Sequence, residues 1–184
     1  GRASSTTCKT RRVTMRHDSR GTTDEGKASN FHRPAPQRTA IIHPGSGGQA
    51  KCAPLLALEA LVNALRAAHW RVTWMIGPDE VERDGPALIE RLEKLAPVIF
   101  EESIERAADV VAEVDLFVGN DAGMTHVAAL AEVATIAIFG PTDPDVWRPL
   151  GLHVRVVPFP DARGLDLWVE QLMQAAEALA RRRE

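Results

Sequence analysis

Hydrophobic positions along the chain fall into two textures. Six short apolar runs, Thr39–His43, Arg71–Ile76, Val98–Phe100, Leu116–Val118, Thr135–Phe139 and Val154–Val157, are largely continuous rather than alternating. That is the pattern of strands buried on both faces. Between them, apolar residues recur at helical spacing. The spacing predicts helices near Pro54–Ala68, Gly85–Leu95, Ser103–Glu113 and Ala122–Ala131, and a closing amphipathic helix over Leu165–Arg182. Ser103 is a suitable N-cap for the third of these. Strands joined by helices require crossover connections, so the elements predict an α/β fold: a doubly wound, mostly parallel sheet with helices on both faces. The common strand order for this layout is 3-2-1-4-5-6. Strands 1 and 4 are then neighbours where the winding reverses, and a ligand crevice opens at their C-terminal ends.

The two most unusual loops follow those two strands. The first reads His43-Pro44-Gly45-Ser46-Gly47-Gly48-Gln49-Ala50-Lys51. Its glycines let the backbone approach a ligand closely. The N–H groups of Ser46, Gly47 and Gly48, the Ser46 hydroxyl and the charge of Lys51 are the chemistry of a diphosphate cradle, set ahead of a helix whose dipole adds to it. A flexible connection with a solvated lysine is the alternative. The loop is neither a P-loop nor a G-x-G-x-x-G fingerprint.

The second loop reads Gly119-Asn120-Asp121-Ala122-Gly123-Met124-Thr125-His126. Asp121 is expected to cap the following helix by accepting from the N–H near Met124. A full negative charge beside a phosphate cradle also asks for another partner, and a sugar hydroxyl is the natural one. Gly123 leaves space for a ligand at the first turn. His126, one turn further on, is placed to donate to a phosphate or sugar oxygen. A third loop, Gly140-Pro141-Thr142-Asp143-Pro144-Asp145-Val146-Trp147, follows strand 5. Its prolines stiffen the backbone, and Trp147 is expected to be a packing residue.

Charge changes the picture at the N-terminus. Residues 1–38 carry nine Lys and Arg against three Asp and Glu, and the remainder carries thirteen against twenty-two. So acidic a body repels a nucleic-acid backbone, and no nucleic-acid partner is expected. Residues 1–38 hold few large aliphatics and are expected to be a disordered basic tail or linker, with the folded domain spanning 39–184. No run reaches the ~20 apolar residues that cross a bilayer. The two cysteines, Cys8 and Cys52, cannot form a disulfide scaffold or a four-thiolate zinc site. A cytoplasmic protein is expected.

Taken in order, His-Pro-Gly-Ser-Gly-Gly…Lys, Gly-Asn-Asp-x-Gly-x-x-His and Phe-Gly-Pro-Thr-Asp-Pro resemble the C-terminal half of glycosyltransferase family 9, the ADP-heptose:lipopolysaccharide heptosyltransferases and their relatives. The resemblance covers about Thr39–Pro158. It implies a Rossmann-like domain, the donor-binding half of a GT-B enzyme that inverts the anomeric carbon with no metal and no cofactor beyond the nucleotide-sugar substrate, ADP-heptose. Carried over by position, Ser46, Gly47, Gly48 and Lys51 would hold the donor diphosphate, and Asp121, Ala122, Gly123, Met124 and His126 the sugar and phosphate. Glu80 would meet the ribose, with Asp79 and Glu82 as rivals.

The implied partners are a glycolipid acceptor, placing the protein peripherally at the inner membrane, and a separate N-terminal half carrying the general base. The isolated chain is then expected to bind donor without transferring sugar. Two other readings stand beside this one: a non-catalytic nucleotide-binding or interaction module left from a truncated transferase, and a GT-B enzyme acting on a UDP-sugar. The sequence also departs from the family pattern. Ser or Thr is common where Ala122 stands, an aromatic near Ala53, and Gly and Pro near Glu132 and Ala134. Glu132 must therefore tolerate a turn that glycine makes cheaply.

Overall fold

A computed structural model describes residues 37–161 and 164–181. Its strands are β1 (Thr39–His43), β2 (Arg71–Ile76), β3 (Val98–Phe100), β4 (Leu116–Asn120), β5 (Ala134–Phe139) and β6 (Val154–Pro158). Its helices are α1 (Leu55–Ala67), α2 (Pro78–Glu93), α3 (Ile104–Ala112), α4 (Gly123–Leu130), α5 (Pro144–Trp147) and α6 (Leu165–Ala180). The strands form one sheet in the order β3-β2-β1-β4-β5-β6, every neighbouring pair parallel. This is the order the apolar runs predicted. β1 and β4 are paired directly, Ala40 opposite Leu116 and His43 opposite Gly119.

Each central strand feeds two cores by alternation. Ala40 and Ile42 of β1, Val72, Trp74 and Ile76 of β2, and Leu116 and Val118 of β4 point to the face covered by α1 and α6. Ile41, Met75 and Phe117 point to the other face, where α3 and α4 lie. Both faces are buried, which is why the runs read as continuous. In α1 the buried residues are Ala57, Leu58, Leu61, Val62 and Leu65, a single stripe at helical spacing.

Two helices end on a non-glycine residue in the left-handed region. His69 (φ 64°) follows α1 and Glu132 (φ 58°) follows α4. Each closes a paired hydrogen-bond cap: Trp70 N–H donates to Leu65 and His69 N–H to Arg66, while Val133 N–H donates to Ala128 and Glu132 N–H to Ala129. Glu132 therefore adopts the turn expected of it.

Several expectations are corrected. α2 begins at Pro78, seven residues before Gly85, and is two helical segments joined at Gly85 (φ 68°, ψ −170°). Its first segment is mostly polar, so the apolar period could not reveal it. A 3-10 turn over Gln49–Lys51 and the four-residue α5 were likewise not predicted. The tail expected over residues 1–38 lies outside the described residues except for Gln37 and Arg38. Those two are engaged: Gln37 Nε2 donates to His69 O at 3.0 Å, and Arg38 pairs with Glu177 at 2.9 Å while lying 5.5 Å over the Trp70 ring.

Candidate functional site

The loop after β1 is shaped by what lies beneath it. His43 is buried with Nδ1 3.0 Å from Met75 O. At Gly45, a Cβ would coincide with the Glu80 carboxylate, so any larger residue must displace that side chain or the loop. Glu80 comes from the first turn of α2, where its Oε2 accepts from Gly77 N–H at 2.7 Å. A helix-capping carboxylate and the backbone of the cradle thus fit into each other.

Asn120 joins the two loops. It is fully buried at the end of β4. Its Oδ1 accepts from Ala53 N–H at 2.9 Å, and its Nδ2 donates to Pro44 O at 2.8 Å and Gly45 O at 3.2 Å. Ser46 Oγ closes a further link, donating to Asp121 O at 2.7 Å. Thr125 Oγ1 donates to Asn120 O at 2.6 Å, packed where a Cβ at Gly119 would intrude to 2.7 Å. Loops some 70 residues apart in the chain are therefore fixed against each other by buried hydrogen bonds, which hold geometry well because breaking one strands a polar group.

Asp121 does not cap α4. Ala122 occupies the cap position (φ −149°, ψ 158°), where it makes no side-chain cap hydrogen bond. Asp121 turns instead towards the other loops: its Oδ2 accepts from Lys51 Nζ at 2.9 Å and Thr142 Oγ1 at 2.8 Å. With no hydroxyl at Ala122, the cap residue offers the first N–H groups of α4 no side-chain acceptor. Helix ends of this kind attract anions. The cradle loop has less helical support than expected. The 3-10 turn and Cys52–Pro54 separate it from α1, while the starts of α2, α3 and α4 all line the cleft.

A cleft of about 300 Å³ opens at the C-terminal ends of β1, β2 and β4, the place predicted by the winding reversal. Its lining divides by strand: Ser46, Gly47, Ala122, Gly123 and Met124 follow β1 and β4, and the acidic residues Asp79, Glu80, Glu101 and Glu102 follow β2 and β3. Met75, Ile76, Ile104 and Ala107 give it an apolar wall. Such a cavity suits a ligand with a flat apolar part, hydroxyls for the carboxylates and an anion for the amides.

The structure thus brings Ser46, Gly47, Glu80, Ala122, Gly123 and Met124 to one cleft. Lys51 and Asp121 sit beside it, bound to each other. Gly48 is half-buried at the start of the 3-10 turn, and Lys51 N–H donates to its carbonyl at 2.9 Å. His126 is half-buried in α4 and is not among the lining residues. Of Glu80's rivals, Asp79 lines the cleft and Glu82 does not. The sequence reading missed Asn120 as an organising group and the apolar wall from Met75 and Ile104. Asn120 lies within the quoted Gly-Asn-Asp motif, but nothing local says what a buried amide will bind.

A second cavity, about 440 Å³, lies between the cradle loop and α2 and includes Cys52 and Arg83. Burial pushes the Cys52 thiol up, against the opposing charge of Arg83. Among the described residues no cluster of three or more His, Cys, Asp or Glu is placed to hold a metal ion, and no helix is long and apolar enough to cross a membrane.

The model of glycosyltransferase family 9 (heptosyltransferase) matches residues 10–163. Lipopolysaccharide heptosyltransferase 3 of Escherichia coli is 23% identical over 163 residues, 81% of this chain and 47% of the relative. Lipopolysaccharide heptosyltransferase 2 of Salmonella typhimurium is 37% identical over 57 residues, 31% of this chain and 16% of the relative. The chain thus spans at most about half the length of these relatives. Among solved structures, the E. coli heptosyltransferase WaaC with ADP superposes with a TM-score of 0.64 at 26% identity, over 78% of this chain and 44% of that one. E. coli ADP-heptose lps heptosyltransferase II gives a TM-score of 0.67 at 23% identity, over 83% and 49%.

Proposed function

The chain belongs to glycosyltransferase family 9, and on that premise we propose that it forms the donor-binding half of an inverting sugar transferase. Its ligand is a nucleoside diphosphate sugar, ADP-heptose in the first instance. The observation that carries this reading is the lining of the cleft, glycine-rich loop residues after β1 and β4 and acidic residues after β2 and β3. The diphosphate belongs at the Ser46–Gly47 turn and the uncapped start of α4. The ribose hydroxyls belong at Glu80 and Asp79, and the base against Met75 and Ile104. Adenine is favoured because a structural relative at 26% identity was solved with ADP.

In the proposed reaction an acceptor hydroxyl oxygen attacks the anomeric carbon. The bond from that carbon to the diphosphate oxygen breaks, the pair of electrons leaves with ADP, and the acceptor proton passes to a base. We assign that base and the glycolipid acceptor site to a separate N-terminal half. The role of this chain is to stabilise charge on the leaving diphosphate with Lys51, the cradle amides and the α4 N-terminus, an electrostatic effect worth about 3 kcal/mol per well-placed donor. Asp121, which has one carboxylate oxygen engaged by Lys51 and Thr142, offers its other oxygen to a sugar hydroxyl. His126 is assigned to the sugar-phosphate end from the second turn of α4.

Calorimetry of the chain with ADP, UDP and GDP tests the reading. ADP is expected to bind most tightly, and Ser46→Ala and Lys51→Ala to weaken it. A chain silent to all three nucleotides is not a donor-binding domain and fits the non-catalytic interaction module instead. Preference for UDP points to a UDP-sugar enzyme.

A further inference from the structure

Trp147 is 56% exposed, so the packing role expected for it does not account for its place. Its backbone is nevertheless held firmly. The Asp143 carboxylate accepts from Asp145 N–H at 2.9 Å, and Pro144 has its φ fixed at the first position of α5. Trp147 and Arg148 N–H donate to the Asp143 and Pro144 carbonyls, both at 3.0 Å. A large apolar side chain on a rigid mount, outside the core, has a position that burial did not choose.

The indole's neighbour is Lys51, whose Nζ lies 5.9 Å from the ring centroid. At that range an ammonium is attracted by the negative face of the ring. The same Nζ is 2.9 Å from Asp121 Oδ2. Lys51 is thus held between a nearly buried carboxylate and an exposed aromatic face, beside the loops after β1 and β4 that line the cleft. The two partners attract it differently. Asp121 does so by cancelling its charge. The indole does so through its quadrupole and leaves the charge whole. Next to a site for a diphosphate this difference matters, because a second carboxylate would repel the ligand and an aromatic face does not.

We infer that Trp147 is a positioning residue for Lys51, holding the ammonium at the diphosphate end of the cleft without neutralising it. The inference rests on the donor-binding reading above. As a diphosphate enters, the ammonium shifts from Asp121 towards the phosphate oxygens while keeping the indole, and Asp121 is released for a sugar hydroxyl.

Two measurements on the full chain test this. Without ligand, heteronuclear NMR of the lysine side chains reads the ring directly: Lys51 signals are expected upfield of the other lysines, and Trp147→Ala removes the shift. Calorimetry with ADP and adenosine then reads the consequence. Trp147→Ala is expected to weaken ADP by about two- to fivefold, the range for an exposed cation–aromatic contact. It leaves adenosine unchanged, Trp147→Phe restores most of the loss, and Trp147→Ala adds nothing in a Lys51→Ala background. Unshifted Lys51 signals in a chain that binds ADP overturn the Trp147 assignment alone. So does a Trp147→Ala loss that is equal for adenosine or persists in the Lys51→Ala background. Shifted signals in a chain that binds no nucleotide overturn the donor-binding reading, and with it the diphosphate purpose of the pair.

Discussion

Gly45 and Glu80 occupy adjoining space from opposite sides, and neither tolerates a larger partner. The carboxylate is buried and accepts from Gly77 N–H. Gly45→Ala must therefore push Glu80 off that bond or lift the cradle loop. Overpacking of this kind costs about 1–3 kcal/mol, read as a lower urea midpoint at unchanged slope. Shortening the obstructing side chain in Gly45→Ala/Glu80→Ala is expected to recover part of the loss. A neutral Gly45→Ala would mean that the loop is not clamped. The sequence marked Gly45 as permissive backbone, but its use is steric, a matter of who stands beside it. Glu132 is the converse case: the resemblance, which puts glycine near that position, implied a turn there, and the residue adopts it (φ 58°).

Among the elements, α4 is the one on which chemistry depends most. Its small residues let it sit tightly on β4 and β5, and its first turn faces the cleft with no side-chain cap. Ala122→Ser is expected to supply the missing acceptor and stabilise the fold by about 1 kcal/mol, the usual worth of an N-cap. Thermal denaturation reads this as an upward shift of roughly 2–4 °C. An unchanged midpoint would mean the helix start is already satisfied. α2 teaches the complementary lesson. Its first segment has little apolar signal and owes its place to Glu80 turning back on Gly77, a contact outside the reach of hydrophobic periodicity.

At the scale of the whole molecule, the sheet order puts the β1 and β4 loops together, and Asn120 makes them one unit. Ligand that binds this unit only in the folded state must raise its stability. ADP at a hundredfold excess over its dissociation constant is expected to add about 2.7 kcal/mol. The gain is expected to survive EDTA, since the proposed diphosphate contacts are amides and Lys51 rather than a metal. Loss of the gain on chelation, followed by recovery with magnesium, would place a cation in the site and revise the leaving-group chemistry.

The apolar runs and helical spacings by themselves determined the double burial of the sheet and, together with the common strand order of such folds, the location of the cleft. These follow from chain periodicity and crossover handedness, which are local or nearly local rules. Ser46, Gly47 and Gly123 could be placed at the cleft in advance because their loops follow the strands where the winding reverses. Only the tertiary structure decided that Asp121 turns to Lys51 and Thr142 rather than to its own helix, that Asn120 joins two loops, and that Trp147 stands in solvent over an ammonium. A side chain's partner depends on which distant backbone arrives beside it. That is settled when the sheet assembles, not by its neighbours in the chain.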